Sequence, residues 1–226
     1  MAGAVFDHVV VGAKTLEEGI QWTRERLGID IPRGGEHVKM GTHNCVMRLD
    51  GEHYFEVIAI NPNSPDPLRA RWFSLDNATV RAQLERSPQL LTWAVNTSNV
   101  RAAFSELNEQ AAFPDVNIEE MTRDDLRWLV AFAKDGEMIE AGLFPLVIEW
   151  HVPQHPSHNM AASGCRLINV EILSPQPDVL QARLSTIGAL GLLAGGKVQI
   201  GDQPELRITL DTPNGPVLLS NNGGSA

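Results

Sequence analysis

The residues that could do chemistry gather early in the chain. His8 stands in the middle of an apolar run, VFDHVVVG, and Glu56 is the one charge in another, YFEVIAI. A carboxylate inside an apolar strand is costly to bury unless something pairs with it, so Glu56 points to a site. Glu149, in LFPLVIEWHV, repeats the same anomaly in the second half of the chain. A neutral imidazole with one or two carboxylates is a borderline-to-hard donor set, able to hold a divalent ion or to move protons. The plain structural alternative for His8 is a core histidine bonded to backbone, and for Glu149 a strand edge marked by Trp150 and His151.

Around this pair lie candidates for contact with a small molecule. His37 and His43 flank the Gly41–Thr42 turn, whose backbone N–H groups could face an anion. Asn44 can donate to a substrate oxygen or cap the turn. Trp93 and Trp150, with Trp128 and Phe132, can wall an apolar cleft or fill a core. His53 follows the Asp50–Gly51 turn and reads as a surface residue. His155 and His158 sit in a Pro/His/Ser-rich loop (residues 153–163), read as mobile, with a lid over a cleft as the alternative. Cys45 and Cys165 sit in apolar strands and read as buried thiols rather than a disulfide.

Regular elements must position these groups. The run Val5 to Gly12 is β-branched and reads as a strand. Thr15 followed by Glu18 is a capping box, Leu16, Ile20, Thr23 and Leu27 form a helical stripe, and Gly28 suits the position just past the helix end. Strands follow at about Asn44 to Leu49 and His53 to Ile60, joined through Asp50–Gly51. A proline-rich linker (61–67) and a helix at about Asp76 to Glu85 lead to a second strand at LLTWAVNT. A helix with Val100, Phe104 and Leu107 on one face comes next, then strands LRWLVAFA and LFPLVIEW around a Lys134–Asp135–Gly136 turn. The rhythm returns a third time in CRLINVEIL, a helix with Leu180, Leu184 and Ile187, and strands KVQI, LRITLD and PVLLS. The tail from Asn221 reads as unanchored. Degenerate β-α-β-β-β units of about 60 to 75 residues are an internal repeat, and such units pair to close a core.

The FDHVVVG opening, GGEHVKMGTHN, DGEHYFEVIAI and FPLVIEW together resemble the vicinal-oxygen-chelate superfamily, and within it the glyoxalase-like proteins, over residues 5 to about 152. The resemblance implies an α+β fold in which repeated βαβββ modules form an incomplete barrel around an open cleft. Module one then covers about residues 5–62 and module two about 88–152, within a glyoxalase-like domain of residues 1–152. A third, partial module follows at 163–221. It implies metal ligands His8 and Glu56 from module one and Glu149 from module two, with Glu56 and Glu149 also moving protons. The fourth position falls at Thr92 or Trp93, neither a good ligand, and here the sequence departs from the pattern. His37, His43, Asn44, Trp93 and Trp150 are the candidate substrate contacts. The implied cofactor is a divalent metal (Zn, Mn, Ni, Co or Fe), and the implied activity a lyase, isomerase or dioxygenase on a small oxygen-rich molecule. The alternative is a metal-free binding or sequestering protein using the same cleft.

Composition bounds the partners. There are 18 basic and 28 acidic side chains, a net charge of −10, and no Lys/Arg cluster. That balance argues against nucleic acid, whose phosphates need clustered cations. No apolar run reaches the roughly 20 residues that span a bilayer. The N-terminus lacks the basic start of a signal peptide. The expectation is a cytoplasmic protein acting on a small molecule, with a homodimer expected because an unpaired module leaves an open sheet.

Overall fold

A computed structural model describes residues 3–109 and 113–222. The first module comprises β1 (Val5–Gly12), α1 (Leu16–Leu27), β2 (Arg33–His37), β3 (Thr42–Arg48) and β4 (Tyr54–Ile60). The helix N-cap falls at Thr15 as the sequence predicts: its Oγ1 accepts from the Glu18 N–H at 3.1 Å. Gly28 ends the helix at φ 72°, a left-handed geometry that glycine adopts without a Cβ clash. A connection carrying α2 (Ala78–Leu84) leads to the second module. That module is β5 (Gln89–Asn96), α3 (Val100–Asn108), β6 (Val116–Arg123), β7 (Leu126–Ala133) and β8 (Leu146–Trp150).

The two modules share one eight-stranded sheet, ordered β2-β3-β4-β1-β5-β8-β7-β6. Within each module the first and last strands run parallel, β1 with β4 and β5 with β8. The modules meet where β1 and β5 pair antiparallel. This is the α+β incomplete barrel that the resemblance implies. The sheet curls until its two edges approach, and Lys39, just after β2, donates to the Glu120 carbonyl on β6 at 2.9 Å. The sequence shows neither edge strand clearly, because β2 is RGGEH and β6 is VNIEEMTR, both polar.

Alternation along each strand sorts the side chains onto two faces. Phe6, Val9, Val11, Phe55, Val57, Trp93 and Val95 lie on the convex face in a continuous core with Leu16, Leu27, Val100 and Phe104 of the helices. Val10, Ile58, Ala94, Trp128, Val130, Phe132 and Ile148 lie on the concave face.

The third unit is β9 (Arg166–Ser174), α4 (Pro177–Thr186), β10 (Gln199–Ile200), β11 (Glu205–Thr212) and β12 (Gly215–Ser220). It keeps the chain order of a module but not its strand order: its sheet runs β10-β9-β11-β12. Its second strand is only two residues long, because 190–196 form 3-10 turns instead. Val170, Ile172, Leu180, Leu184, Ile208 and Leu210 join the convex core, so the unit packs on the first two. Asn221 corrects the expectation of a loose tail: its side chain accepts from the Leu206 N–H at 2.9 Å and donates to the Ala141 carbonyl at 3.2 Å. Residues 223–226 lie outside the described residues. Both cysteines are buried and free. Among the described residues no helix is long and apolar enough to cross a membrane.

Candidate small-molecule cleft

A local irregularity in β1 builds the floor of the concave face. The β1–β5 register shifts between Phe6 and His8, a bulge that turns both Asp7 and His8 inward while Phe6 and Val9 stay in the convex core. On β4, Tyr54 and Glu56 point inward between Phe55 and Val57. On β3, Asn44 and Val46 do the same between Cys45 and Met47.

These residues form one hydrogen-bonded chain. Asp7 Oδ1 accepts from His8 Nδ1 at 2.6 Å, and His8 Nε2 faces Glu56 Oε2 at 3.5 Å. Asn44 Nδ2 donates to Glu56 Oε1 at 2.6 Å, while its Oδ1 accepts from the Gly35 N–H at 2.9 Å. The other Asp7 oxygen accepts from Trp150 Nε1 at 2.7 Å and from His155 Nε2 at 3.0 Å. The Ser157 N–H donates to His155 Nδ1, which leaves the proton of that ring on Nε2, facing Asp7. The His8 ring stacks on Tyr54 with centroids 4.2 Å apart.

Burial disfavours charge on every member, and their pairing decides the outcome. Burial pushes the His8 imidazolium down, but hydrogen bonds and charges from Asp7 and Glu56 outweigh it and raise its pKa to about 9. Burial likewise pushes Asp7 up, yet His155 and His8 hold it well below the usual carboxylate range. Glu56 is also lowered: burial opposes its charge, and bonds from His8 and Asn44 win. His37 has no such partner. Burial takes it down to about 4, a neutral ring whose Nδ1 lies 3.1 Å from Thr42 Oγ1.

The walls are aromatic. Trp72 and Phe73 come from the segment between modules, Trp128 from β7 and Trp150 from β8, with Arg123 at the end of β6. Pro156 and Met160 of the loop after β8 lie across one side. The loop that reads as mobile is therefore pinned, by His155 on Asp7 and by Ser163 Oγ on the Arg48 carbonyl at 2.7 Å.

Of the candidates from sequence, the structure brings His8, Glu56, His37, Asn44 and Trp150 to the cleft and leaves three elsewhere. Trp93 is fully buried on the convex side, where its indole N–H donates to the Leu143 carbonyl at 2.9 Å. It is core, not a substrate contact. His43 alternates with Asn44, so it faces outward into a separate hollow beside Thr15 and Pro62. Glu149 alternates with Ile148 and Trp150, away from the cleft. Its Oε2 accepts the Val100 N–H at 2.9 Å, at the start of α3, and its Oε1 pairs with His151. That carboxylate sits where a helix N-terminus favours negative charge. It is neither near His8 nor placed to act with Glu56.

The register identifies what does stand opposite. His8 and Thr92 each precede their module's helix N-cap, Thr15 and Asn99, by seven residues. Glu56 pairs with Val10 across β1–β4, and in the same place across β5–β8, Ala94 pairs with Leu146. The counterparts of His8 and Glu56 in module two are therefore Thr92 and Leu146. Thr92 donates to the Gly142 carbonyl at 2.9 Å, and Leu146 has no donor atom to offer. Among the described residues no group of three His, Cys, Asp or Glu is gathered as a metal ion needs. With Asp7 engaged by His8, Trp150 and His155, and no donor from module two to complete His8 and Glu56, the cleft does not fit the divalent metal that the resemblance implies.

Sequence reasoning missed Asp7, Tyr54, Trp72, Phe73 and Arg123. The Gly34–Gly35 pair carries the signal for the last. A Cβ at Gly35 would meet Arg123 Cδ at 2.6 Å, and one at Gly34 would meet Asn44 Oδ1 at 2.3 Å. The two glycines leave room for these side chains to cross the backbone. Gly34→Ala is expected to cost about 1–3 kcal/mol, because it dislodges Asn44 from buried Glu56. Urea unfolding checks this; a neutral result would mean that Asn44 is free to move.

A family profile described as a glyoxalase-like domain matches residues 6–188. No curated protein matches the chain. Among solved structures, the crystal structure of a hypothetical protein from Staphylococcus aureus covers 95% of this chain and 84% of its own, with a TM-score of 0.55 at 16% identity. The methylmalonyl-CoA epimerase from Mycobacterium tuberculosis covers 66% of this chain and 90% of its own, with a TM-score of 0.40 at 16% identity. The first likeness is one of fold, and the second is too distant to inform the site.

Proposed function

Because the chain belongs to the glyoxalase-like family, we propose that it uses the cleft of that fold to bind a small organic molecule without a metal ion. One observation carries this reading: Thr92 and Leu146 stand where module two would have to supply ligands to complete His8 and Glu56. What the cleft offers instead is a histidine that Asp7 and Glu56 hold protonated on the floor, under aromatic walls.

The chemistry follows from the slack in the floor. At 3.5 Å, His8 Nε2 and Glu56 Oε2 are too far apart for a full-strength hydrogen bond. A ligand oxygen near His8 accepts a hydrogen bond from the Nε2–H that Glu56 engages loosely, while Asp7 keeps the ring oriented through Nδ1. Glu56 stays tied by Asn44 and supplies an acceptor for a ligand hydroxyl. The tryptophans cover an apolar body, the usual division of labour in small-molecule pockets.

The free cavity is about 30 Å³, room for about two water molecules. A ligand larger than a few heavy atoms therefore enters by moving the segment that carries Trp72 and Phe73. Phe73 and Ser74 both hold positive φ, 58° and 54°, conformations that cost energy in a non-glycine residue and cluster at ligand clamps and switch regions.

Thermal unfolding with added manganese, nickel or zinc tests the reading, since an ion that binds only the folded state raises the midpoint. The expected result is an unchanged midpoint for each ion, with ligand quenching of the cleft tryptophans equal with and without EDTA. A midpoint rise that EDTA reverses would contradict it.

A further inference from the structure

Two donors on residues that line the cleft have little or nothing to donate to. Trp72 is buried, 3% exposed, and its indole N–H has no acceptor among the described residues. A buried N–H without a partner is uncommon and needs an explanation. Arg123 reaches the cleft from β6, and the bond it makes there is one long contact from a guanidinium N–H to Asn44 Oδ1 at 3.5 Å. Other partly buried arginines of this chain are well paired: Arg69 with both oxygens of Glu119, and Arg71 with Asp66 and Asp76. Trp72 and Arg123 border the same neutral ring, His37, which meets the Trp72 indole edge-on at 5.0 Å.

We propose that the ligand of this cleft is a small organic acid, whose carboxylate is bound by the Arg123 guanidinium and the Trp72 indole N–H. This rests on the metal-free reading above. A carboxylate answers both donors at once: its two oxygens match the planar fork of an arginine, and the bond is charge-assisted. The carboxylate already in the cleft cannot serve, because Glu56 is held by Asn44 at 2.6 Å and faces His8. The acid's other end then lies toward His8 and Tyr54, between the tryptophan walls. The Gly34–Gly35 backbone makes the arrangement possible, since a side chain at Gly35 would push Arg123 from the cleft.

The test uses the full chain and two acids, propionate and benzoate, each beside its neutral amide, read by tryptophan fluorescence in EDTA. At least one acid should quench saturably and bind about tenfold or more tighter than its own amide, the scale of one charge-assisted hydrogen-bond pair. Arg123→Gln should remove that preference by weakening the acid while leaving the amide unchanged, and Arg123→Lys should restore part of it. Trp72→Phe should weaken the acid with a smaller effect on the amide. A purely structural role for Arg123, bridging β6 to β3, would move both compounds alike. Equal binding of acid and amide, or no binding of either acid, overturns the inference and leaves the metal-free reading standing. Acid binding that appears only with a divalent ion overturns that reading, and this inference with it.

Discussion

Asp7→Ala is expected to destabilise the protein by about 3–5 kcal/mol, the cost of breaking a buried charge network by removing one partner. Asp7 is fully buried and accepts from three N–H groups: His8 Nδ1, Trp150 Nε1 and His155 Nε2. Those donors come from β1, β8 and the loop beyond it, so one carboxylate ties the junction of the two modules to the cover of the cleft. Alanine leaves an imidazolium and two further N–H groups without an acceptor in a dry site. His155→Ala should cost less, because it removes one arm and leaves the other two. A double-mutant cycle between Asp7 and His155, read by urea unfolding, should give a coupling of about 1 kcal/mol or more. Asp7→Ala losing under about 1 kcal/mol would mean that the network is not the hub its geometry describes.

The second large effect is on pH dependence. His8 has a pKa raised from 6.5 to about 9 in the folded protein, so its pairing adds stability that is fully present below pH 6.5 and lost as the pH rises through 9. The size of that loss is on the order of 3 kcal/mol. His37 has the opposite sign. Its pKa falls from 6.5 to about 4, so its neutral burial adds stability above pH 6.5 that is lost as the pH drops through 4. Asp7 and Glu56, both lowered, add a further loss at the acid end. The unfolding free energy should therefore peak near pH 6.5 and fall on both sides. His8→Gln should flatten the alkaline limb and shrink the carboxylate part of the acid limb, because His8 helps to hold Asp7 and Glu56 low, while the part due to buried His37 stays. Urea unfolding from about pH 3.5 to 10 reads both limbs, and a flat wild-type profile from 6.5 to 9 would rule out a protonated His8.

Much of the fold is legible in the sequence because its signals are local. Thr15 with Glu18, the stripe of α1 and Gly28 specify the first helix, and the strands β1, β4, β5, β7 and β8 are apolar enough to stand out. The edge strands are not: β2 and β6 are polar and glycine-bearing, and only their pairing makes them strands. Glu56 and His8 are legible as a pair, since a charge in an apolar strand has few structural excuses. Glu149 misleads for a physical reason. It matches Glu56 in type and in being near the end of its module, but strand parity turns it to the convex face, where it caps α3 instead. The residue that matches Glu56 in register is Leu146, and nothing in a leucine announces that position. Trp93 misleads by the same one-residue parity. Asp7 is hidden because alternation predicts that it faces away from His8, and only the bulge puts both on one face. Arg123 and Trp72 come to the cleft from the far edge of the sheet and from the connection between modules. No spacing in the chain links them to His8.

On the metal-free reading proposed above, this cleft lacks half of a metal site. Elemental analysis of protein produced without chelator tests it most directly, run beside the variant Thr92→His with Leu146→Glu, which supplies the two missing donors. Asp7 would hold His8 in that variant as outer partners commonly hold metal-bound histidines. Less than about 0.1 divalent ion per chain is expected in the wild-type protein, and a content approaching about one in the double variant. About one ion per wild-type chain, lost on His8→Ala, would contradict it.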